Sequence, residues 1–253
     1  MELVMSSDSQ NNNQDYRSSF YEEYVSTFKH HIPSASFDHY KKIFDKQFLP
    51  LIEEFNKNAS LIEFGCGAGN ELQLLREKGY TNLFGIDISP EQIQKARIKG
   101  LNVEQTDVFR FLEVNEKKFD IIFALDFVEH FDKREILKLF GGFSKILKTG
   151  GKLILRTPNG EGLFPGRIIY GDLTHMTIFN SYSLTQLLLK TGFTDIKLFE
   201  SIPVENNFSG LIRTILWRVI KFIIKIMRAS EGASTINILT QNLICTSKKD
   251  TPE

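Results

Sequence analysis

Three glycines at alternate positions, Gly65, Gly67 and Gly69, follow the short apolar run in LIEFGCGAGN (Leu61 to Asn70). Glycine lets a backbone come close to a ligand, so this loop is suited to approaching one. The triplet alone fits either a dinucleotide redox cofactor or a group donor. Glu63 lies just before the glycines. A carboxylate there would face a pyrophosphate unfavourably and suits a cationic amino-acid head. Asp87, in FGIDIS, can accept both hydroxyls of a ribose in either cofactor class. Asp107, in QTDVF, can accept from an exocyclic adenine amine while Val108 covers the ring.

Two of the five histidines are placed to move a proton. His130 follows an apolar run in DFVEHF, and His175 lies in YGDLTHMTIF. Asp172 and Thr174 are close enough in sequence to hold the His175 imidazole. We expect His175 to act as general base, with Asp172 orienting it or touching substrate. A base of this kind adds roughly 10²–10⁴-fold in rate. His130 is the second candidate, or a brace for the helix after its strand. His30, His31 and His39 read as surface or lid residues. Cys66 has no base partner in the sequence and reads as a small buried residue.

These residues sit in a pattern of short β-type runs alternating with helical segments. The runs are SLIEFG, NLFGID, LNVEQT, FDIIFAL and GKLILRT, followed later by TDIKLFES and NLICTSKK. Ser89 and Pro90 mark a helix start. Gly79, Gly100 and Gly150 read as left-handed residues closing three helices. Strand alternating with helix means a parallel, doubly wound sheet. Ligands bind at the carboxyl ends of its strands, where the winding reverses.

Residues 57–253 would form this domain. Residues 16–56 read as an N-terminal helical lid, interrupted at Pro50. The Ser-, Asn- and Gln-rich residues 1–15 read as a disordered tail and not as a signal peptide. The net charge of zero gives no global case for nucleic-acid binding. Two cysteines without metal-ligand spacing, Cys66 and Cys245, suggest a reducing cytoplasm. No uninterrupted apolar stretch reaches the roughly 20 residues of a transmembrane helix.

Taken in order, LIEFGCGAGN, FGIDISPEQIQKAR, QTDVF, FDIIFALDFVEHF and LKTGGKLILRTPN resemble the class I S-adenosylmethionine-dependent methyltransferases. The resemblance covers about residues 60–160 and continues more loosely beyond. It implies a Rossmann-like, seven-stranded α/β sheet, mostly parallel with an antiparallel last strand. Extra helices would roof the cleft. Glu63, Gly65, Cys66 and Gly67 would line the methionine end of S-adenosyl-L-methionine. Asp87 and Ile88 would hold the ribose, and Asp107 and Val108 the adenine. Leu125 and Asp126 would close the cleft. Asp126, Glu129 and His130 follow a D-x-x-E-H spacing, with His175 as a fourth candidate metal ligand. Some methyltransferases of quinone rings and RNA ends use E-x-x-E-H. The shorter Asp stands here, and we expect no bound metal.

The segment Leu211 to Arg228 separates into two arcs at 100° per residue. Arg213, Arg218, Lys221, Lys225 and Arg228 share one with Trp217, and apolar residues fill the other. Such a helix suits an anionic membrane surface, at the inner face of a cytoplasmic membrane. It suits equally a cap on the core or a homodimer interface. Together with YGDLTHMTIF and the last strand, it resembles a subgroup associated with bacterial surface-polysaccharide biosynthesis. That implies methylation of oxygen on a sugar, sugar nucleotide or lipid-linked glycan. The alternatives are a methyltransferase for another small molecule, quinone-like or secondary metabolite, and a non-catalytic cofactor-binding docking protein. An NAD-dependent oxidoreductase is the remaining rival.

Overall fold

The computed structural model describes residues 19–23, 26, 36–201, 208–230, 232 and 238–249. The expected tail at residues 1–15, and His30 and His31, lie outside them. Helix α1 (Phe37–Gln47) and a 3-10 turn (Leu49–Leu51) precede β1 (Leu61–Phe64). Then α2 (Asn70–Glu77), β2 (Leu83–Asp87), α3 (Pro90–Ile98), β3 (Val103–Gln105), α4 (Val108–Val114) and β4 (Phe119–Leu125) alternate. A 3-10 turn (Val128–His130), α5 (Lys133–Ile146) and β5 (Leu147–Pro158) follow. The chain continues through α6 (Gly166–Ile169), α7 (Ser181–Lys190), β6 (Phe193–Glu200), α8 (Phe208–Ser230) and β7 (Asn242–Lys249).

The seven strands form one sheet in the order β3-β2-β1-β4-β5-β7-β6. β7 runs antiparallel to both its neighbours, and the other pairs are parallel. Residue alternation sends side chains to two cores. Ile62, Phe64, Ile122 and Leu153 pack toward α5 and α7. Leu61, Phe123 and Ile154 pack toward α1 and α2. The winding reverses between β1 and β4, so their carboxyl ends frame a crevice.

Local chemistry sets the helix starts that border this crevice. The Ser89 side chain accepts from Gln92 N, with Pro90 opening α3. Asp107 caps α4, accepting from Phe109 N and Arg110 N at 2.8 and 3.2 Å. Asp132 and Glu135 form a reciprocal capping box at α5.

Three expectations need correction. Gly150 does not close a helix. α5 ends at Ile146, and Gly150, with φ +72°, lies within β5. The β4–β5 register shifts between Phe119 and Ile121, so the left-handed glycine serves an irregular strand. Residues 37–52 are more than a lid, because Phe44, Phe48 and Ile52 are fully buried in the second core. The amphipathic helix does not cap the core with its apolar face. Its less exposed line, through Thr214, Trp217, Lys221, Ile224 and Arg228, runs along the basic arc.

Candidate functional site

β1 ends at Phe64, and the chain must leave the sheet at once to begin α2 at Asn70. It does so through left-handed turns. Gly65 has φ +67°, and a Cβ there would lie 2.6 Å from the Phe127 ring. Gly67 has φ +52°, and a Cβ there would meet nothing nearer than Gln92 at 3.8 Å. The first glycine permits packing, and the second is favoured by its positive φ, a Cβ there making only ordinary contact with Gln92. Lys99 pins the far side of the loop, donating to Ala68 O at 2.8 Å and Asn70 Oδ1 at 2.7 Å.

The loop floors a cleft of about 380 Å³, within the range of small-molecule sites. Gly65, Cys66, Gly67, Asp87, Ile88, Asp107, Val108, Leu125 and Asp126 all line it. So do His130, Asp172 and His175. Asp87 joins the loop to β2. Its Oδ2 accepts from Gly67 N and its Oδ1 from Ser89 N, each at 2.8 Å. The Cys66 thiol is buried, and burial followed by the charges of Glu63 and Asp87 pushes its pKa up. That leaves it a neutral packing group beneath Gly85, as its reading as a small buried residue requires.

Glu63 departs from its expected position at the methionine end. It is 2% exposed in the middle of β1 and does not line the cleft. Burial pushes its carboxyl well up; the charge of Asp87 adds to this and Arg156 opposes it. Among the described residues its Oε2 has no hydrogen-bond partner. Burial thus favours the neutral form of this carboxyl. Strand alternation puts it on the face of Leu61, opposite Ile62 and Phe64.

The histidines meet, but their polar support differs from the expected one. The His130 and His175 ring centroids are 4.9 Å apart. Asp172 Oδ1 accepts from Thr174 Oγ1 at 2.6 Å and from Thr174 N at 2.9 Å. Thr174 Oγ1 also lies 2.8 Å from His130 Nδ1. The hydroxyl has one proton, and the carboxylate can only accept. The proton thus points to Asp172, and Nδ1–H of His130 donates to the hydroxyl. Asp172 orients His130 through Thr174, in place of the expected Asp172–His175 contact. His175 Nδ1 faces the Ile169 carbonyl at 3.3 Å. Burial, with the nearby His175, lowers the His130 pKa to about 4. Burial disfavours charge on Asp172, but hydrogen bonds from Thr174 and the two imidazoles lower its pKa overall.

The D-x-x-E-H set does not assemble as a quartet. Asp126 has φ +51° and is held by Arg156, whose Nε donates to Oδ1 at 2.8 Å while Nη2 contacts Oδ2. Glu129, His130 and His175 each offer a ligand atom within 4.8 Å of the others. Glu129 is 1% exposed and accepts from Thr157 Oγ1 at 3.2 Å. Burial and the Asp126 charge push its carboxyl well up, so it would have to lose a proton to serve as a ligand.

Of the further residues that line the cleft, four bear on its chemistry. Tyr21 and Tyr40 come from the N-terminal segment, and Tyr21 OH lies 3.3 Å from Thr174 Oγ1. Phe127 supplies a wall. Arg156 was detectable in principle, as a lone cation at the carboxyl end of the apolar run KLILR.

Residues 29–198 match a family described as a methyltransferase domain. Phosphoethanolamine N-methyltransferase 1 of Arabidopsis thaliana is 26% identical over 62% of this chain and 35% of its own length. The mitochondrial ubiquinone biosynthesis O-methyltransferase of Dictyostelium discoideum is 26% identical over 40% of this chain and 35% of its own. The chain spans about a third of the length of these curated relatives. A crystal structure of a SAM-dependent methyltransferase from Archaeoglobus fulgidus aligns with a TM-score of 0.64. That alignment has 23% identity and covers 91% of this chain and 100% of the other, and it supports the common fold. With the family match spanning most of the sheet and all the cleft loops up to His175, the chain belongs to the methyltransferase-domain family.

Proposed function

We propose that this protein is an S-adenosylmethionine-dependent methyltransferase acting on an oxygen of a small acceptor. A sugar, sugar nucleotide or lipid-linked glycan is the acceptor class we favour. The observation that carries the reading is the pairing of two imidazoles with a glycine loop in one cleft. The residues present fit the donor. Gly67 leaves room for close approach, Asp87 faces the cleft, and Val108 offers an apolar surface beside Asp107.

When bound, S-adenosylmethionine supplies a methyl group already activated on a sulfonium. The protein must then align the acceptor, exclude water and take the acceptor's proton. His130 is neutral above about pH 4, with its tautomer set by Thr174, so it can hold the acceptor hydroxyl by hydrogen bond. We assign the proton to His175, whose Nδ1 is turned to a carbonyl and whose Nε2 is thereby left as the basic nitrogen. Tyr21, whose ring meets His130 edge-on at 5.8 Å, supplies aromatic surface to the acceptor side. The named activities of the phosphoethanolamine and ubiquinone relatives support a second reading, in which the acceptor is an amine or a quinone-like phenol.

The test uses purified protein, methyl-labelled S-adenosylmethionine, and fractionated lysate of the source cell. Label in sugar-nucleotide or glycolipid fractions is the expected result. Label in amine or quinone fractions keeps the enzyme and discards the glycan acceptor. No label in any fraction sinks the catalytic reading. His175→Ala should retain S-adenosylhomocysteine binding and lose roughly 10²–10⁴-fold in rate.

A further inference from the structure

Helix α8 turns its apolar side outward. Ile215, Val219, Phe222, Ile223, Ile226 and Met227 are each at least half exposed. The side turned toward the body carries Thr214, Trp217 and Lys221, and Lys221 pairs with Glu200 at 2.7 Å. At 100° per residue the exposed apolar arc lies opposite this line. Arg218 and Lys225 flank it on one side and Arg213 on the other. The helix has five cations and no acid over Phe208–Ser230.

We propose that the outer face of α8 docks on the surface of an anionic lipid bilayer. The apolar arc would enter the headgroup boundary, with the flanking cations against lipid phosphates, as in a helix lying in the interface plane. Among the described residues no helix is long and apolar enough to cross a membrane, so the contact is with one leaflet. A second copy of the chain is the other obvious cover for such a face. Isologous pairing would bring together two helices whose charged side chains are all cationic, which disfavours it. Anionic lipid is complementary to both the apolar arc and its cationic rim.

The placement has a direction. Leu216, Trp217 and Ile220 line an apolar cavity of about 520 Å³ together with Leu163, Phe164 and Asn242. Asn242 pairs with Pro158 at the carboxyl end of β5, the edge of the sheet that carries the catalytic cleft. Phe164 is 87% exposed, in the loop that leads on to Asp172 and His175. Docking would therefore bring the acceptor side of the cleft toward the lipid.

Vesicle sedimentation of the full chain tests this without donor or acceptor, so its outcome is separable from that of the methyltransferase reading. Pure phosphatidylcholine vesicles would be compared with vesicles containing three-tenths phosphatidylglycerol. We expect partition onto the anionic vesicles only, weakened by high salt. Arg218→Ala with Lys225→Ala should lower it about 30-fold. Phe222→Ser with Ile226→Ser should lower it as well. These side chains are solvent-facing, so both variants should keep the parent melting temperature. No partition, equal partition onto neutral vesicles, or parent-like partition of both variants would overturn the proposal. So would a dimer in analytical ultracentrifugation that the Phe222/Ile226 variant dissociates, with no vesicle binding.

Discussion

Behind the cleft wall, the residue that sets the His130 geometry has no reactivity of its own. Thr174 passes the Asp172 carboxylate on to His130. Thr174→Val keeps the shape and removes the relay. It should lower kcat by about 10-fold to 10²-fold with little change in S-adenosylhomocysteine affinity, and Thr174→Ser should recover most of the loss. The same imidazole sets a pH dependence of stability. Its folded pKa of about 4 lies below the usual 6.5, so between these values the unfolded chain binds more protons. Stability therefore falls as pH drops from about 6.5 to about 4, by at most roughly 3–4 kcal/mol from this group. Chemical denaturation across that window should show His130→Asn with a shallower decline than the parent. An equal slope would assign the decline to other groups. Sequence proximity ties Asp172 and Thr174 to His175, and its place after an apolar run singles out His130, but neither chooses the imidazole that the carboxylate serves. That choice depends on the turn at Leu173, which places Thr174 between Asp172 and His130. Glu63 is a related case: its type is informative, but its burial beneath Asp87 and Arg156 is a property of the packed sheet.

Among the elements, β1, β2 and β4 are legible because apolar runs end at a glycine or an acid. The start of β5 is not. Leu147 to Gly150 continues the apolar spacing of α5, and only pairing of Leu147 with Phe119 makes it strand. The apolar arc of α8 was also legible, but its outward direction was not, since periodicity carries no information about which side meets the body. α5 buries Ile136, Leu139, Phe140, Phe143 and Ile146 against the sheet and starts three residues after His130. Its capping box therefore bears on the site as well as on the fold. Asp132→Ala should cost about 1 kcal/mol in a denaturant titration, and Glu135→Ala somewhat less. A result within error of the parent would mean that packing alone fixes the helix start.

For the whole molecule, the donor is the simplest probe. A ligand that binds only the folded chain raises its stability by about 2.7 kcal/mol at a hundred times its Kd. For a chain of this size, that is a rise in melting temperature of roughly 5–10 °C. S-adenosylhomocysteine should produce it and NADH should not, and the reverse pattern would restore the oxidoreductase reading. The strand order also has a bearing on the history of each molecule. β7 lies between β5 and β6, yet the ribosome makes it after both. Until it arrives, β5 is a bare edge with an apolar face and β6 has no neighbour to join. The five strands that frame the crevice can pair beforehand, so each newly made chain passes through an interval in which the cleft's frame exists while half the sheet's far wing is open to mispairing.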